Sequence, residues 1–138
     1  MIILDTNVLS EASRPDPSIK VLDWMRSEPL AALFTTTITE AELLFGIALL
    51  PSGSRRRLLE SVVAGILEED FAGRILPFDS AAAREFALIA AQRRLVGRPI
   101  GEADGRIAAI ARSRGASLAT RNVRDFEGCG LTVIDPWV

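Results

Sequence analysis

Short apolar runs alternate along this chain with stretches of helical period, and that alternation leaves few folds open. The runs Met1–Leu4, Leu33–Thr36, Arg74–Phe78, Ala116–Ala119 and Leu131–Ile134 are too short for buried helices and are bounded by turn residues, so each is predicted to be a strand. Between them lie helical patterns. Val8–Ser13 is halted by Pro15 and Pro17. Ser18–Arg26 sets Ile19, Val21, Leu22 and Met25 on one side behind an N-cap serine. Ile38–Leu50 is apolar on most faces and ends at Pro51-Ser52-Gly53. Ser54–Glu69 carries a broad stripe of Leu58, Leu59, Val62, Val63, Ile66 and Leu67. Ala81–Leu95 is capped by Asp79 or Ser80, and Glu102–Arg114 is closed by Gly115. Strands separated by helices require crossover connections, which produce a parallel sheet covered on both faces. The expected fold class is therefore α/β. A chain of 138 residues without a linker, repeat or low-complexity tract makes a single domain, residues 1–138.

Composition then limits the chemistry. The chain has no His, no Tyr and one Cys, Cys129. That excludes Ser-His-Asp and Cys-His catalysis, histidine zinc helices, imidazole acid/base pairs and strand transfer through a phenol. A metal site would be built from oxygen donors, which select Mg²⁺ or Mn²⁺. A lone cysteine forms no internal disulfide, and Met1 leads into Ile2-Ile3-Leu4 with no basic segment or cleavage site. The expectation is a cytoplasmic protein with no membrane span. The net charge is −2, which argues against a simple positive coat for nucleic acid, although all but one of the basic residues are Arg and the second half of the chain is net basic.

In an open parallel sheet, ligands bind outside the carboxyl ends of the strands near the point where strand order reverses. Asp5 follows the first strand, Thr35-Thr36-Thr37 the second and Thr120-Arg121-Asn122 the fourth. Glu42 and Asp104 lie one turn or less into helices that start at the same edge. Each acid has an ordinary reading as well. Asp5 fits a helix cap, Glu40 and Glu42 each fit a capping box, and Asp104 fits a favourable charge at a helix N-terminus. One helix takes one N-cap, so at least one of the two glutamates is spare. Glu42 sits among Ala41, Leu43, Leu44 and Phe45, at a cleft rim or buried. Asp104 shares a helical face with Ile107, Ala108 and Ala111, where a core residue belongs. None of Asp5, Glu42 and Asp104 has a basic partner at helical spacing. Carboxylates gathered at one edge repel unless a cation neutralises them, and a hard divalent ion can activate water for phosphoryl chemistry without histidine.

The ordered segments Asp5-Thr6-Asn7-Val8-Leu9, Thr39-Glu40-Ala41-Glu42-Leu43, Ala103-Asp104-Gly105-Arg106-Ile107-Ala108-Ala109 and Ala119-Thr120-Arg121-Asn122 resemble the PIN-domain ribonucleases. The similarity is to the VapC toxins of type II toxin-antitoxin modules, in their FitB-like branch, where Gly73-Arg74-Ile75-Leu76-Pro77-Phe78-Asp79 and Ile134-Asp135-Pro136-Trp137 also have counterparts. The resemblance implies a three-layer α/β/α PIN-like domain with a five-stranded parallel sheet and a Mg²⁺- or Mn²⁺-dependent endoribonuclease site. The products would carry 5′-phosphate and 3′-hydroxyl ends. By position it makes Asp5 and Asp104 metal ligands and Glu42 a further acid, direct or through water, with Thr6 supporting the first acid. At the family's fourth acidic position stands Asn122, after Thr120; its amide oxygen can ligate a cation but adds no charge. Asp125 either takes over that role or caps the turn before Phe126. The resemblance also implies a VapB- or FitA-like antitoxin that inhibits the toxin by lying across the cleft with an Arg at the acids, a homodimer, and contact with DNA only through the antitoxin.

Arg121 and Arg124 flank Asn122 and are candidates for RNA backbone contact, with a solvated loop as the ordinary reading. Arg55-Arg56-Arg57 opens a helix, where the macrodipole disfavours cations, and reads as a solvated run or a phosphate contact. Trp24 and Trp137 read as packing residues away from the acids. The apolar excess of Ile38–Leu50 and Gly53–Glu69 reads as core, with the resemblance adding antitoxin and dimer contacts. Two rival functions remain: a DNA-acting PIN or flap-type nuclease, and a catalytically weak metal-containing binding module. A haloacid dehalogenase-type phosphatase needs a second Asp where this chain has Asn7.

Overall fold

In the computed structural model, which describes residues 1–138, all strand pairings are parallel and the sheet order is β3-β2-β1-β4-β5. The strands are β1 (Ile2–Leu4), β2 (Leu33–Thr36), β3 (Ile75–Leu76), β4 (Ser117–Ala119) and β5 (Val133–Ile134). The helices are α1 (Thr6–Ala12), α2 (Ile19–Ser27), α3 (Thr37–Ala48), α4 (Ser54–Gly65), α5 (Ser80–Leu95) and α6 (Glu102–Ser113). Strand order runs outward from β1 in both directions, so the switch point lies at the carboxyl ends of β1 and β4. The expected α/β sandwich and its five parallel strands are present.

Neighbouring residues on each strand serve opposite faces, as a pleated strand requires. Ile3, Phe34, Leu76, Leu118 and Val133 join a core with α5 and α6, built on Ala82, Ile89, Ile107, Ala108 and Ile110. Leu4, Leu33, Ile75, Ala119 and Ile134 join a second core with Val8, Leu9 and Val21 from α1 and α2. A smaller cluster of Ile47, Val63 and Leu67 holds α3 to α4. Gly105 lets α6 close on α5: a Cβ there would lie 2.9 Å from Phe86 Cε2 and 3.3 Å from Ile100 Cγ2. The approach seats the first turn of α6, with Asp104, against the sheet edge.

Some boundaries move for local reasons. α1 begins at Thr6 because Asp5, extended at φ −68° and ψ 161°, is its N-cap. β3 is shorter than the predicted Arg74–Phe78 because Pro77 has no N–H to donate to a ladder. The predicted helix Ser54–Glu69 is α-helical to Gly65 and finishes as a π turn over Ile66–Asp70. No helix is long and apolar enough to cross a membrane. The apolar excess of α3 and α4 is only partly core, since Leu44, Phe45, Leu49, Leu58 and Val62 are exposed.

Candidate active site

The backbone at the switch point is fixed before any acid is placed. Asp5 N–H donates to Ala119 O at 2.9 Å, carrying the β1–β4 ladder one residue past the strand, and Thr120 N–H donates to Ile134 O at 2.9 Å. The buried Thr35 hydroxyl donates to Leu4 O at 3.1 Å and holds the chain just ahead of Asp5.

Asp5 is 4% exposed, and its carboxylate is fully partnered. Oδ1 accepts from Thr6 N–H at 2.8 Å; Oδ2 accepts from the Thr120 hydroxyl at 2.7 Å and more distantly from Asn7 Nδ2 at 3.4 Å. The cap and the site residue are thus the same carboxylate. Burial pushes the Asp5 carboxyl up, the Thr120 and Thr6 hydrogen bonds pull it down, and the charges of Glu42 and Asp125 push it up; the net direction is upward. Thr120, itself buried, accepts from Asn122 N–H at 3.1 Å and Asn7 Nδ2 at 3.3 Å, so its one proton is committed to Asp5.

Asn7 joins the same network, a place the sequence did not mark for it. Its amide reaches Thr120 and Asp5, and its carbonyl oxygen accepts from Arg121 N–H at 3.2 Å, tying the ends of β1 and β4 together. Thr39, fully buried, was likewise missed as a site residue. Its hydroxyl lies 3.0 Å from Thr6 Oγ1, and Thr6 donates to Glu42 Oε1 at 2.7 Å. Thr6 has one proton, so Thr39 must donate to Thr6, and Thr36 in turn lies 3.5 Å from Thr39 as donor. The chain of hydroxyls points every proton toward Glu42. No residue-type pattern marks it, because Thr36, Thr39 and Thr6 come from separate elements.

Thr36 is the N-cap of α3, accepting from Thr39 N–H at 3.1 Å, so neither Glu40 nor Glu42 belongs to a capping box. Glu42 is exposed at the rim of the edge, the first of the two positions its apolar neighbours allow. Asp104 is half-buried in the first turn of α6 and has no hydrogen-bonding partner. Burial first, then the charges of Asp5, Asp125 and Glu42, push its carboxyl from 3.8 up to about 6. None of these four acids forms an ion pair.

Asn122 and Asp125 are both exposed, on or beside the 3₁₀ turn Val123–Phe126, and the Asn122 backbone rather than its amide joins the Thr120 network. The Arg121 guanidinium stacks over the Trp137 ring, 5.0 Å from its centroid. Trp137, after β5, is half-buried against the core of Leu4, Val8 and Leu9, as a packing residue should be. No three of the acids form a ready ion-binding group. Their charges nonetheless act on one another, none is paired with a base, and their donors are all oxygens, the type a hard divalent ion takes.

The model of the PIN domain family matches residues 2–128. The chain is 44% identical over 137 residues to VapC ribonuclease Y4jK of Sinorhizobium fredii, covering 99% of this chain and 98% of that protein. It is 40% identical to toxin FitB of Neisseria gonorrhoeae over 99% of both chains. A solved structure of FitAB bound to the IR36 DNA fragment superposes with a TM-score of 0.93 at 39% identity, covering 100% of this chain and 96% of that one.

Proposed function

The chain belongs to the PIN domain family, in its VapC and FitB branch, and on that premise we propose that it is the toxin of a type II toxin-antitoxin module, a divalent-metal-dependent endoribonuclease. The observation that carries the reading is Asp104, an unpartnered carboxylate pushed up to about 6 by burial and by three other acids at the switch point. That is the electrostatic signature of a place meant for a cation. The proposed ligands are Asp5, Asp104 and Glu42, with Asn122 or Asp125 at the fourth position and Mg²⁺ or Mn²⁺ as the ion. A bound divalent ion supplies water activation and neutralises charge at a phosphoryl group.

The residues around it have separate tasks. Thr120, Asn7 and the Thr6 N–H favour the ionised form of buried Asp5 against the opposing effect of burial, and the Thr36–Thr39–Thr6 hydroxyl chain holds the Glu42 carboxylate toward the site. Half-buried Asp104, with no hydrogen-bonding partner, is free to turn toward an ion that Asp5 anchors. Arg121, kept in place by Trp137, presents its guanidinium to an RNA phosphate beside the acids.

The proposed antitoxin, VapB- or FitA-like, covers the exposed apolar face of α3 and α4 and inhibits by setting a cation against the carboxylates. A homodimer draws on the same apolar excess, and DNA is reached only through the antitoxin. FitAB, a relative of this fold, is a DNA-bound assembly. A cytoplasmic location suits such a module. Asp5→Asn and Asp104→Asn should each abolish Mg²⁺-dependent RNA cleavage by the antitoxin-free protein while retaining its far-ultraviolet circular dichroism. Full activity in either folded variant would sink the assignment.

A further inference from the structure

Arg121 holds an unusual place for an arginine beside a group of acids. It follows Thr120, whose hydroxyl bonds Asp5, and its backbone N–H donates to Asn7 Oδ1 at 3.2 Å. The network that fixes the acids therefore fixes the start of this side chain as well. Yet its guanidinium pairs with no carboxylate and spends no donor on a protein group. It lies instead over the Trp137 ring, 5.0 Å from the centroid. The indole is a firm support. Trp137 packs against Leu4, Val8 and Leu9, its backbone N–H donates to Asp135 Oδ1 at 2.9 Å, and Val138 N–H donates to Asp135 O at 3.3 Å. Both sides of the pair are thus anchored, one on the turn after β4 and the other on the turn after β5. A guanidinium stacked on a ring keeps its opposite face and its in-plane donors open. Arg121 is exposed, so solvent meets both.

We propose that Arg121 and Trp137 form a stacking platform for one unpaired nucleobase next to the phosphate that is cut. The inference rests on the RNA-cutting reading above and deepens it. A single-stranded nucleotide offers the two surfaces that match, a flat π-face for the guanidinium plane and a phosphate for its N–H edge. A carboxylate would take the donors and leave the face bare. The platform reads no hydrogen-bonding edge, so it accepts any base that is free of a duplex partner, and abolishing the base while keeping the backbone removes what it holds.

The test uses the antitoxin-free full chain with Mg²⁺ and a short single-stranded RNA in which one cut bond is followed. Copies of that RNA carry an abasic ribose at each position around the bond in turn. The kcat/KM for the original bond is measured with wild type, Arg121→Lys and Trp137→Leu. With wild type, removing the base at one position beside the bond should lower kcat/KM about tenfold, the size of one stacked base. Arg121→Lys keeps a cation for the phosphate but has no planar face, so removing the same base should then cost less than about twofold. Trp137→Leu should shrink the effect in the same way. An abasic effect of equal size in wild type and Arg121→Lys overturns the platform and leaves Arg121 a phosphate contact. A full abasic effect that survives in Trp137→Leu overturns the part given to Trp137. Because Arg121 is exposed, Arg121→Lys tests the proposal even if Trp137→Leu does not fold. A wild-type chain that cuts no RNA overturns the underlying reading as well. A wild-type chain that cuts RNA with no position sensitive to loss of its base overturns this proposal alone.

Discussion

Removing the charge of Asp104 should make the metal-free protein more stable and less useful at once. Its carboxyl is pushed from 3.8 to about 6 by burial and by Asp5, Asp125 and Glu42. A group whose folded-state pKa lies above its unfolded value binds its proton more tightly in the native state. Its contribution is therefore fully present below about pH 3.8 and is lost as pH rises through about 6. At about 1.4 kcal/mol per unit the full displacement corresponds to about 3 kcal/mol. Asp104 is half exposed, so solvent screening reduces this to about 1–2 kcal/mol. Asp104→Asn keeps the shape and deletes the charge. In EDTA at pH 8 it should gain about 1–2 kcal/mol over wild type in urea unfolding, or roughly 3–6 °C in Tm. The gain should fade as pH falls from 6 to 4, and Mn²⁺ should stabilise the wild type more than the variant. Equal or lower stability of Asp104→Asn at pH 8, or a gain that persists unchanged at pH 4, would refute the electrostatic argument. Asp5 is the poorer choice for this test, because an amide there would accept from only one of Thr6 N–H and the Thr120 hydroxyl and set its NH2 against the other.

Other expectations follow from the same geometry. Thr120→Val removes the one hydroxyl that donates to the buried Asp5 and should cost about 1.5–3 kcal/mol in denaturant unfolding at pH 7, with a smaller loss at pH 3 where the carboxyl is protonated. In wild-type protein, Mn²⁺ affinity measured by calorimetry should fall by up to about tenfold per pH unit below 6, as a ligand proton must be displaced. Arg121→Ala should raise KM for RNA with kcat nearly unchanged and reduce the magnitude of the log–log salt slope by about 0.7, and Trp137→Leu should have part of the same effect by freeing the guanidinium. Phe45→Asp, on the exposed face of α3, should weaken capture by the cognate antitoxin in a pull-down by about thirtyfold or more, while the isolated variant keeps its Tm and its cleavage of RNA.

Much of the fold was legible because each strand is apolar on both faces and each helix carries its own punctuation. Ile2-Ile3-Leu4 stopping at Asp5, Ser18 and Asp79 as caps, and Gly115 as a terminator are local signals that tertiary contacts reinforce. The acids at the switch point were legible as a consequence, since strand ends and helix starts in a parallel sheet face one edge. The hydrogen-bond partners were not. Asn7 meets Thr120 across 113 positions of sequence and Thr6 meets Thr39 across 33, and no periodicity encodes such a meeting. Arg93, in the last turn of α5, is buried where residues 125–129 close against the helix and accept its hydrogen bonds, a meeting across 32 and 34 positions of sequence.

The central claim, a carboxylate-held divalent ion cutting RNA, is tested most directly by one cleavage assay. End-labelled RNA and single-stranded DNA panels are incubated with the purified, antitoxin-free chain in Mg²⁺, in Mn²⁺ and in EDTA. The account expects RNA cut only with metal, leaving 5′-phosphate and 3′-hydroxyl ends, and DNA left intact. Cleavage of RNA in EDTA, preference for DNA, or metal binding without cleavage of either would contradict it.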